Sequence, residues 1–474
     1  MHTVDLLVHG PHVLTLVGEG VGYRANTALA VDRGRIVAVG PRAEMLAAYR
    51  AERTIDAAGQ VMLPGFVDAH MHTAYCLLRG LAQDTAHWMM SGLGPFSRQL
   101  TSEAMDAGSR LAIVEAVRNG TTTLGDYGVN MDSACRFIQQ IGARGRVTAL
   151  IREADARLYN PGELYEFDPA LGRRQLDAAL ALFDAWHGAA EGRLSVLFGP
   201  QGPDFLRRDL LLEVRRLARE RETRLHMHTA QGDRETAQIE RRYGQRPIAW
   251  LDSLGYLDQS LIAVHLTDAS EDEAALVALR GASMVLCSGS IGIIDGIVPP
   301  ARAFQQAGGS VALGSDQAAG NNCHNVFNEM KLTALFNKIR AADPEVMPAW
   351  RVLRMATIEG ARAIGLGDQV GSLEEGKRAD FILVDLRRPS MLPVLTMPMR
   401  NLVPNLVYSA RGDEVSLVVV EGQIVLEHGR LQRVDEAAIL DDAQRLAEPL
   451  VALAADDFAC ANGANAHFMR EGKL

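Results

Sequence analysis

The stretch that decides the fold of this chain is Leu63-Pro64-Gly65-Phe66-Val67-Asp68-Ala69-His70-Met71-His72. Its apolar residues predict a buried strand that ends in a His-x-His pair. Side chains two residues apart on a strand point to the same face, so His70 and His72 project together. At the mouth of a barrel these two imidazoles could bind one metal ion. The structural alternative is a pair of hydrogen-bonded histidines near a strand end.

Eight strand-like apolar runs alternate with helical patterns through the middle of the chain. They lie at residues 61–70, 121–126, 146–151, 194–199, 225–228, 261–265, 283–287 and 310–314. Helical stretches such as 103–118, 209–220 and 273–280 separate them. Eight strand–helix units of this kind predict an α/β fold of the (β/α)8 TIM-barrel type. An open doubly wound sheet is disfavoured, because no Gly-x-Gly-x-x-Gly turn follows the first strand.

The two ends of the chain carry short apolar runs separated by turns, a pattern typical of β-structure. Each end is too short to bury a core alone, so we expect residues 1–59 and 371–432 to form one composite β-sandwich. Residues 60–370 would then make up the barrel, and residues 433–474 a C-terminal helix and tail.

The composition is that of an ordinary globular chain and disfavours several kinds of partner. The 474 residues are 48% hydrophobic and 22% charged, with a formal net charge of -10. The negative charge and the lack of a Lys/Arg block argue against nucleic-acid binding. No run approaches the roughly 18 apolar residues of a membrane span, and no signal peptide is expected. Five scattered cysteines without a Cys-x-x-Cys pair favour reduced thiols in a cytoplasm.

Metal-ligand residues recur where the predicted strands end, which is the edge at which TIM barrels carry their active groups. His226 and His228 end the fifth strand, His265 ends the sixth and Asp316 ends the eighth. Imidazoles with a carboxylate suit Zn²⁺, and also Fe²⁺ or Mn²⁺. Taken alone, each histidine could be a buried structural residue and Asp316 a helix N-cap. Their shared position favours a metal site, with His226 deeper in the barrel and in a supporting role.

Further motifs along the chain point to one family. They are Leu78-Arg79-Gly80, Gly120-Thr121-Thr122-Thr123, Gly314-Ser315-Asp316 with Asn321-Asn322, and residues 356–366 and 371–380. With residues 63–72, they make nearly the whole chain similar to the amidohydrolase superfamily. The similarity is to the branch of triazine hydrolases, S-adenosylhomocysteine deaminases and guanine deaminases. It implies a barrel with a split β-sandwich, in agreement with the residue patterns.

The resemblance also implies the site residues. The positions that match the family's metal ligands are His70, His72, His228 and Asp316. Those that match catalytic groups are Asp316, as the base, and His265, which would orient or polarise the substrate. The expected substrate-binding residues are Gln231, His265, Arg79 and Asn321. We expect one divalent ion, zinc in the first place and iron or manganese as alternatives, because no lysine ends the fourth strand to bridge a second ion.

Three departures from the family pattern bear on the substrate. The family usually has a Glu three residues after the fifth-strand histidine, where this chain has Gln231. The Pro-His pair that usually ends the fourth strand is Pro200-Gln201, and the His-x-Pro-x-Ser-Asn of the seventh strand is replaced in residues 285–290. A glutamine cannot transfer a proton to a ring nitrogen, so ordinary guanine or adenosine-type deamination is expected to be poor. The alternative acids are Asp233, Glu235 and Glu153.

These features predict a metal-dependent hydrolase acting on a C–N bond of a small nitrogen-rich cyclic or urea-like compound. A metal-activated water would attack, with Asp316 as the base. The alternatives are chlorohydrolase-type dehalogenation of an activated ring, or a degenerate homologue that binds metal and ligand without turnover. A cytidine-deaminase type of zinc site is excluded, since the chain has no Pro-Cys-x-x-Cys motif. The expected partners are a small-molecule substrate and further copies of the chain.

Overall fold

The computed structural model describes residues 1–155, 157, 159 and 162–474, and its centre is an eight-stranded parallel barrel. In chain order the barrel strands, called the first to the eighth, are Phe66–Met71, Thr121–Gly128, Arg144–Ile151, Leu194–Pro200, Leu225–Thr229, Leu261–His265, Ser283–Leu286 and Val311–Leu313. A parallel bridge between Met71 and Asp316 brings the end of the barrel sheet back to the first strand. The predicted (β/α)8 barrel is therefore confirmed.

Most helices pack around the barrel, whereas the first, Arg42–Ala48, packs on the β-domain. The α-helices are Arg42–Ala48, Gly94–Ser97, Ser102–Arg118, Met131–Ile141, Pro169–Trp186, Arg208–Glu220, Asp233–Tyr243, Pro247–Ser253, Glu271–Leu279, Ser288–Ile294, Ala301–Gln306, Ala318–Asn321, Val326–Ala341, Ala349–Met355, Ile358–Ala363, Leu402–Tyr408, Glu436–Ala461 and Gly463–Arg470. Short 3-10 helices span Thr73–Leu78 and Ala190–Gly192, and a π-helical turn spans Trp88–Leu93. Among the described residues, no helix combines the length and the apolar character needed to cross a membrane.

Short polar side chains fix where several long helices begin. Thr101, Asp168 and Asn325 each accept a hydrogen bond from a backbone N–H in the first turn of the helix that follows. Ser270 forms a full capping box with Glu273. Such caps satisfy backbone donors that have no partner inside the helix. The predicted helices at 103–118, 209–220 and 273–280 lie within two residues of the observed ones.

The two ends of the chain build a β-domain of two sheets. One sheet has four strands, His2–His9, Thr27–Asp32, Arg35–Pro41 and Tyr49–Asp56. The other has seven, in the spatial order Arg430–Leu431, Gln423–Glu427, Val415–Val420, Phe381–Asp385, Gln60–Pro64, His12–Leu14 and Tyr23–Arg24. Leu6 and Val31 from the first sheet share one buried cluster with Phe381 and Val419 from the second. A β-domain made from both termini is confirmed, while the exact domain boundaries stay a prediction.

The strand predicted at residues 61–70 is wrong as a single element, because the chain divides it at Gly65. Gln60–Pro64 pairs antiparallel with Phe381–Asp385 in the β-domain, and only Phe66–Met71 enters the barrel. A Cβ atom at Gly65 would lie between 2.1 and 2.6 Å from atoms of the Thr122 side chain. Glycine is needed there because the strand leaves one sheet and enters another against a close neighbour.

A buried ion-pair network joins the barrel to the β-domain. Arg144, at the start of the third strand, donates to both carboxylate oxygens of Asp380, at 2.7 and 3.0 Å. It also donates to Glu421 Oε2 at 2.7 Å, and Arg378 pairs with the same glutamate. Arg144 is 1% exposed, so these contacts replace the water that its guanidinium would otherwise bind.

Candidate metal centre

Two histidines project from the end of the first strand toward the barrel axis. The Nε2 atom of His70 lies 3.7 Å from Asp316 Oδ1, and the Nε2 atom of His72 lies 3.4 Å from the same oxygen. His72 donates from Nδ1 to the carbonyl oxygen of Tyr127, at 2.7 Å. Since Nδ1 carries the proton, Nε2 keeps its lone pair free for a ligand.

His228 completes the imidazole set from the fifth strand. Its Nε2 atom lies 3.3 Å from Nε2 of His72, and its Nδ1 donates to the carbonyl oxygen of Gln201 at 2.6 Å. Each ring is thus oriented by a backbone carbonyl of the adjacent strand, His72 by Tyr127 of the second strand and His228 by Gln201 at the end of the fourth. In both rings the nitrogen that faces the other imidazoles is the unprotonated one.

Asp316 faces these rings with one carboxylate oxygen and is held through the other. Oδ2 accepts a hydrogen bond of 2.5 Å from the hydroxyl of Ser290. The backbone of Asp316 is left-handed, with φ +57°, and is bonded on both sides to the first strand through His70 O and His72 N. A non-glycine residue in this conformation is strained, and such strain is found most often at functional sites.

His265 reaches the same centre from the sixth strand. It is buried, and a ligand atom of its ring lies within 4.8 Å of ligand atoms of His70 and Asp316. Its φ of +78° turns the backbone out of the strand, so the ring does not follow simple strand alternation. Within the described part of the chain, Nδ1 of His265 has no hydrogen-bond partner.

A divalent metal ion fits this arrangement. His70, His72 and His228 offer ligand atoms that all lie within 4.8 Å of one another. His70 Nε2 and Asp316 Oδ1 are buried and have no hydrogen-bond partner among the described residues, which is costly unless something else binds them. Three imidazole nitrogens with one carboxylate oxygen form a donor set that zinc accepts.

The charges of these groups also suit a metal. Burial lowers the pKa of His72 and of His228 to about 4, and the imidazole of His72 contributes to the shift of His228. Burial, followed by the neighbouring imidazoles, lowers the pKa of His70 and of His265 well below the usual value. The rings are therefore neutral near pH 7, and the neutral imidazole is the form that binds a metal ion.

His226 supports the centre without facing it. Its Nε2 lies 3.0 Å from His70 Nδ1, and its Nδ1 lies 2.9 Å from the hydroxyl of Thr148. If Nε2 of His70 binds a metal, its Nδ1 carries the proton and donates it to His226. His226 therefore lies behind the ring of His70, deeper in the barrel, as the sequence predicted.

The residues predicted to bind substrate lie in different surroundings. Gln231 follows the fifth strand and is half-buried, and its backbone N–H donates to Glu235. The guanidinium of Arg79 pairs with Glu115 and donates to Cys76 Sγ. The Asn321 amide is buried and donates to backbone oxygens of its own loop and to Glu329. A substrate-binding role for these residues stays a prediction.

Two of the three alternative acids are engaged by other groups. Both carboxylate oxygens of Glu235 accept backbone N–H groups, from Ala230 at 2.8 Å and Gln231 at 2.9 Å. Glu153 accepts three hydrogen bonds from Arg207. Asp233 is exposed in the first turn of its helix.

Sequence reasoning missed the two hydroxyls that support the centre. Ser290 follows the seventh strand inside the helix Ser288–Ile294, where the two-residue strand periodicity no longer applies. Thr148 lies on the third strand, and its hydroxyl forms a hydrogen bond with His226. Alternation along the third strand could have placed Thr148 inside the barrel, but no local signal pairs Ser290 with Asp316.

The fold and this set of side chains define a (β/α)8-barrel protein with a His/Asp cluster that could hold a metal ion. A model described as "Amidohydrolase family" matches residues 61–425, and the chain belongs to that family. A second model, of an imidazolonepropionase-like composite domain of bacteria, matches residues 28–51 in the β-domain.

Relatives of known activity match almost from end to end. A 5-methylthioadenosine/S-adenosylhomocysteine deaminase of Moorella thermoacetica is 34% identical, over 90% of this chain and 94% of the relative. A 5'-deoxyadenosine deaminase of Methanosarcina mazei is 31% identical, over 94% of this chain and 99% of the relative.

Solved structures show the same architecture. An adenosine deaminase of Xanthomonas campestris with bound zinc has a TM-score of 0.87 and 31% identity, over 95% of this chain and 99% of its own. An atrazine chlorohydrolase of Arthrobacter aurescens complexed with zinc has a TM-score of 0.81 and 23% identity, over 93% of this chain and 100% of its own. At that lower identity, the chlorohydrolase supports the fold alone.

Proposed function

We propose that this protein is a metal-dependent hydrolase of a C–N bond in a small nitrogen-rich cyclic compound, using one zinc ion. The observation that carries the proposal is the convergence of His70, His72, His228 and Asp316 with lone pairs free for a ligand. The presence of deaminases among the relatives supports C–N hydrolysis. The complete ligand set counts against the reading as a degenerate homologue.

The protein's own groups account for the proton transfers. A divalent ion held by these residues would lower the pKa of a water molecule toward neutrality. Asp316 accepts a proton from the attacking water through Oδ1 and returns it to the leaving nitrogen. His265, a neutral imidazole beside Asp316, donates a hydrogen bond to the charge that develops on a substituent of the attacked carbon. Ser290 holds Oδ2 so that Oδ1 stays turned toward the centre.

The test combines metal analysis with ammonia release. Zinc-loaded protein should bind about one ion per chain and release ammonia from at least one member of a panel of aminopyrimidines, aminopurines and aminotriazines. His228→Ala removes one of the four ligands and should lower both metal content and turnover strongly, by about 100-fold in affinity or more. His467→Ala, on the exposed C-terminal helix Gly463–Arg470, is the matched control and should change neither. Full turnover in metal-stripped protein would contradict the proposal.

The cellular setting and assembly are part of the same proposal. The five cysteines, all free, support a reducing cytoplasm. The side chains of Leu392, Met397 and Met399 are 57%, 83% and 75% exposed in one segment, which supports contact with further copies of the chain. Light scattering at micromolar concentration tests the assembly, and a strictly monomeric protein would contradict it.

A further inference from the structure

Two glutamines, Gln201 and Gln231, adjoin His228 at the mouth of the barrel, one through a hydrogen bond and the other along the chain. Gln201 accepts from His228 Nδ1 through its backbone carbonyl, and Gln231 follows His228 by three residues. The first is anchored by its N–H to Ile151 O at 2.9 Å, and the second by its N–H to Glu235. Both backbones are therefore fixed relative to the centre, while both side chains remain available.

We infer from the pleat of the fourth strand that the side chain of Gln201, the residue after the last strand residue Pro200, faces the barrel interior. A Cβ atom at Gly199 would lie 2.5 Å from the Thr148 side chain and 2.8 Å from that of Tyr127, so position 199 faces the interior. Residues two apart on an extended strand share a face, so Gln201 faces the interior one layer nearer the mouth. Its Oε1 is buried and has no hydrogen-bond partner among the residues the structure describes. A donor on a bound ligand would satisfy this buried acceptor.

Carboxamides constrain the reaction that this site can perform. A carboxamide donates and accepts hydrogen bonds but does not exchange a proton near neutral pH. When water adds to an amino-bearing C=N carbon, the electron pair moves onto the ring nitrogen. In a plain aminopurine that nitrogen must receive a proton, and neither Gln201 nor Gln231 can give one.

We propose that the substrate is a cyclic N-acylamidine, in which a carbonyl group is bonded to the ring nitrogen of the amino-bearing C=N unit. This inference rests on the proposed C–N hydrolase function. In such a ring the electron pair passes through the nitrogen onto the carbonyl oxygen, and a carboxamide N–H stabilises the resulting charge by a hydrogen bond. The Gln201 Oε1 atom, which has no donor among the described residues, would accept from the ring N–H beside this carbonyl, and the Gln231 amide would donate to the carbonyl oxygen.

The reaction balances without an outside acid. Water bonds through oxygen to the amino-bearing carbon while Asp316 takes one of its protons. Asp316 then gives this proton to the amino group, the C–N bond breaks, and ammonia leaves as the lone pair re-forms the ring C=N bond. The remaining C–OH group tautomerises to the lactam, so that substrate and water give lactam and ammonia.

The experiment compares two pairs of probes that differ only in the carbonyl group: isoguanine against adenine, and cytosine against 4-aminopyrimidine. Zinc-loaded protein should show kcat/KM at least about 100-fold higher for at least one carbonyl-bearing probe than for its partner.

Gln231→Glu should shrink that ratio by raising turnover of the plain partner, and Gln201→Leu should raise KM for the carbonyl-bearing probe more than it lowers kcat. Gln140→Glu, the same charge change on the exposed outer helix Met131–Ile141, should leave the ratio unchanged. Zinc content and melting temperature confirm that the variants are folded.

The outcomes separate this inference from the function on which it rests. Efficient deamination of adenine or 4-aminopyrimidine by the unaltered protein would overturn the inference and leave the C–N hydrolase function standing. An unchanged ratio in Gln231→Glu would also overturn it. If deamination of the plain partners is lost in Asp204→Asn, then Asp204, buried beside Glu235, is the acid that replaces the glutamate. Failure of all four probes to release ammonia, with zinc bound, would count against both.

Discussion

At the scale of single residues, the centre depends on which oxygen of Asp316 faces the imidazoles. The hydroxyl of Ser290 occupies Oδ2 at 2.5 Å, leaving Oδ1 without a hydrogen-bond partner among the described residues. Burial raises the pKa of Asp316, and the hydrogen bond from Ser290 opposes that shift by favouring the carboxylate. A base that must accept and return one proton needs both a fixed direction and a moderate proton affinity.

Ser290→Ala should therefore lower kcat by about 10- to 100-fold while most of the zinc stays bound, because all four ligands remain. Ser290→Thr keeps the hydroxyl and should recover much of the loss. Steady-state kinetics and zinc content per chain on the three proteins check this. A kcat unchanged in Ser290→Ala would show that the hydrogen bond does not position the base.

Residue-level prediction from sequence worked where strand periodicity applies. His70, His72 and His228 sit at strand ends, where alternation alone directs them inward. The structure brings His265 and Asp316 into the same cluster, but their left-handed backbone conformation could not be predicted from an apolar run. Ser290 was not predicted, because its hydrogen-bond partner Asp316 lies 26 residues away. No periodic pattern relates the first turn of a helix to a facing loop.

At the scale of elements, the sequence predicts the strands that have a buried apolar face. It does not predict the polar strand at the edge of the four-stranded sheet. The strand Tyr49–Asp56 carries mostly exposed or half-buried side chains, and it is held by parallel pairing with His2–His9 at the sheet edge. Its sequence lacks the apolar alternation that signals a strand. Residues 61–70 were joined in one prediction because hydrophobicity runs through Gly65, although the chain changes sheets there.

The contact between barrel and β-domain is testable at the same scale. Arg144→Met leaves the buried carboxylates of Asp380 and Glu421 without this guanidinium and should lower the free energy of unfolding by about 3 kcal/mol. Urea unfolding followed by circular dichroism measures it. Arg173→Met removes an exposed ion pair with Glu213 and should leave the midpoint unchanged. Equal effects of the two substitutions would show that the Arg144 network is not important for stability.

At the scale of the whole molecule, the two ends of the chain depend on each other. The seven-stranded sheet places Gln60–Pro64 between His12–Leu14 and Phe381–Asp385, so strands from both ends are interleaved. The four-stranded sheet closes the buried cluster on its other side. Neither half can bury that cluster alone.

Removal of residues 1–59 should therefore yield protein that aggregates or unfolds, and residues 371–432 expressed alone should not fold. Solubility and circular dichroism of the two fragments check this. Removal of the exposed residues 471–474 is the control and should leave folding intact. A folded, active barrel without the N-terminal segment would show that the β-domain is an independent addition.

The central claim is a single metal ion at the C-terminal mouth of the barrel. The most direct measurement is the anomalous difference density of a crystal grown with zinc, recorded on both sides of the zinc absorption edge. The account predicts one strong peak, about 2.0–2.2 Å from Nε2 of His70, His72 and His228 and from Oδ1 of Asp316. No peak at these four atoms, or two peaks sharing them, would contradict it.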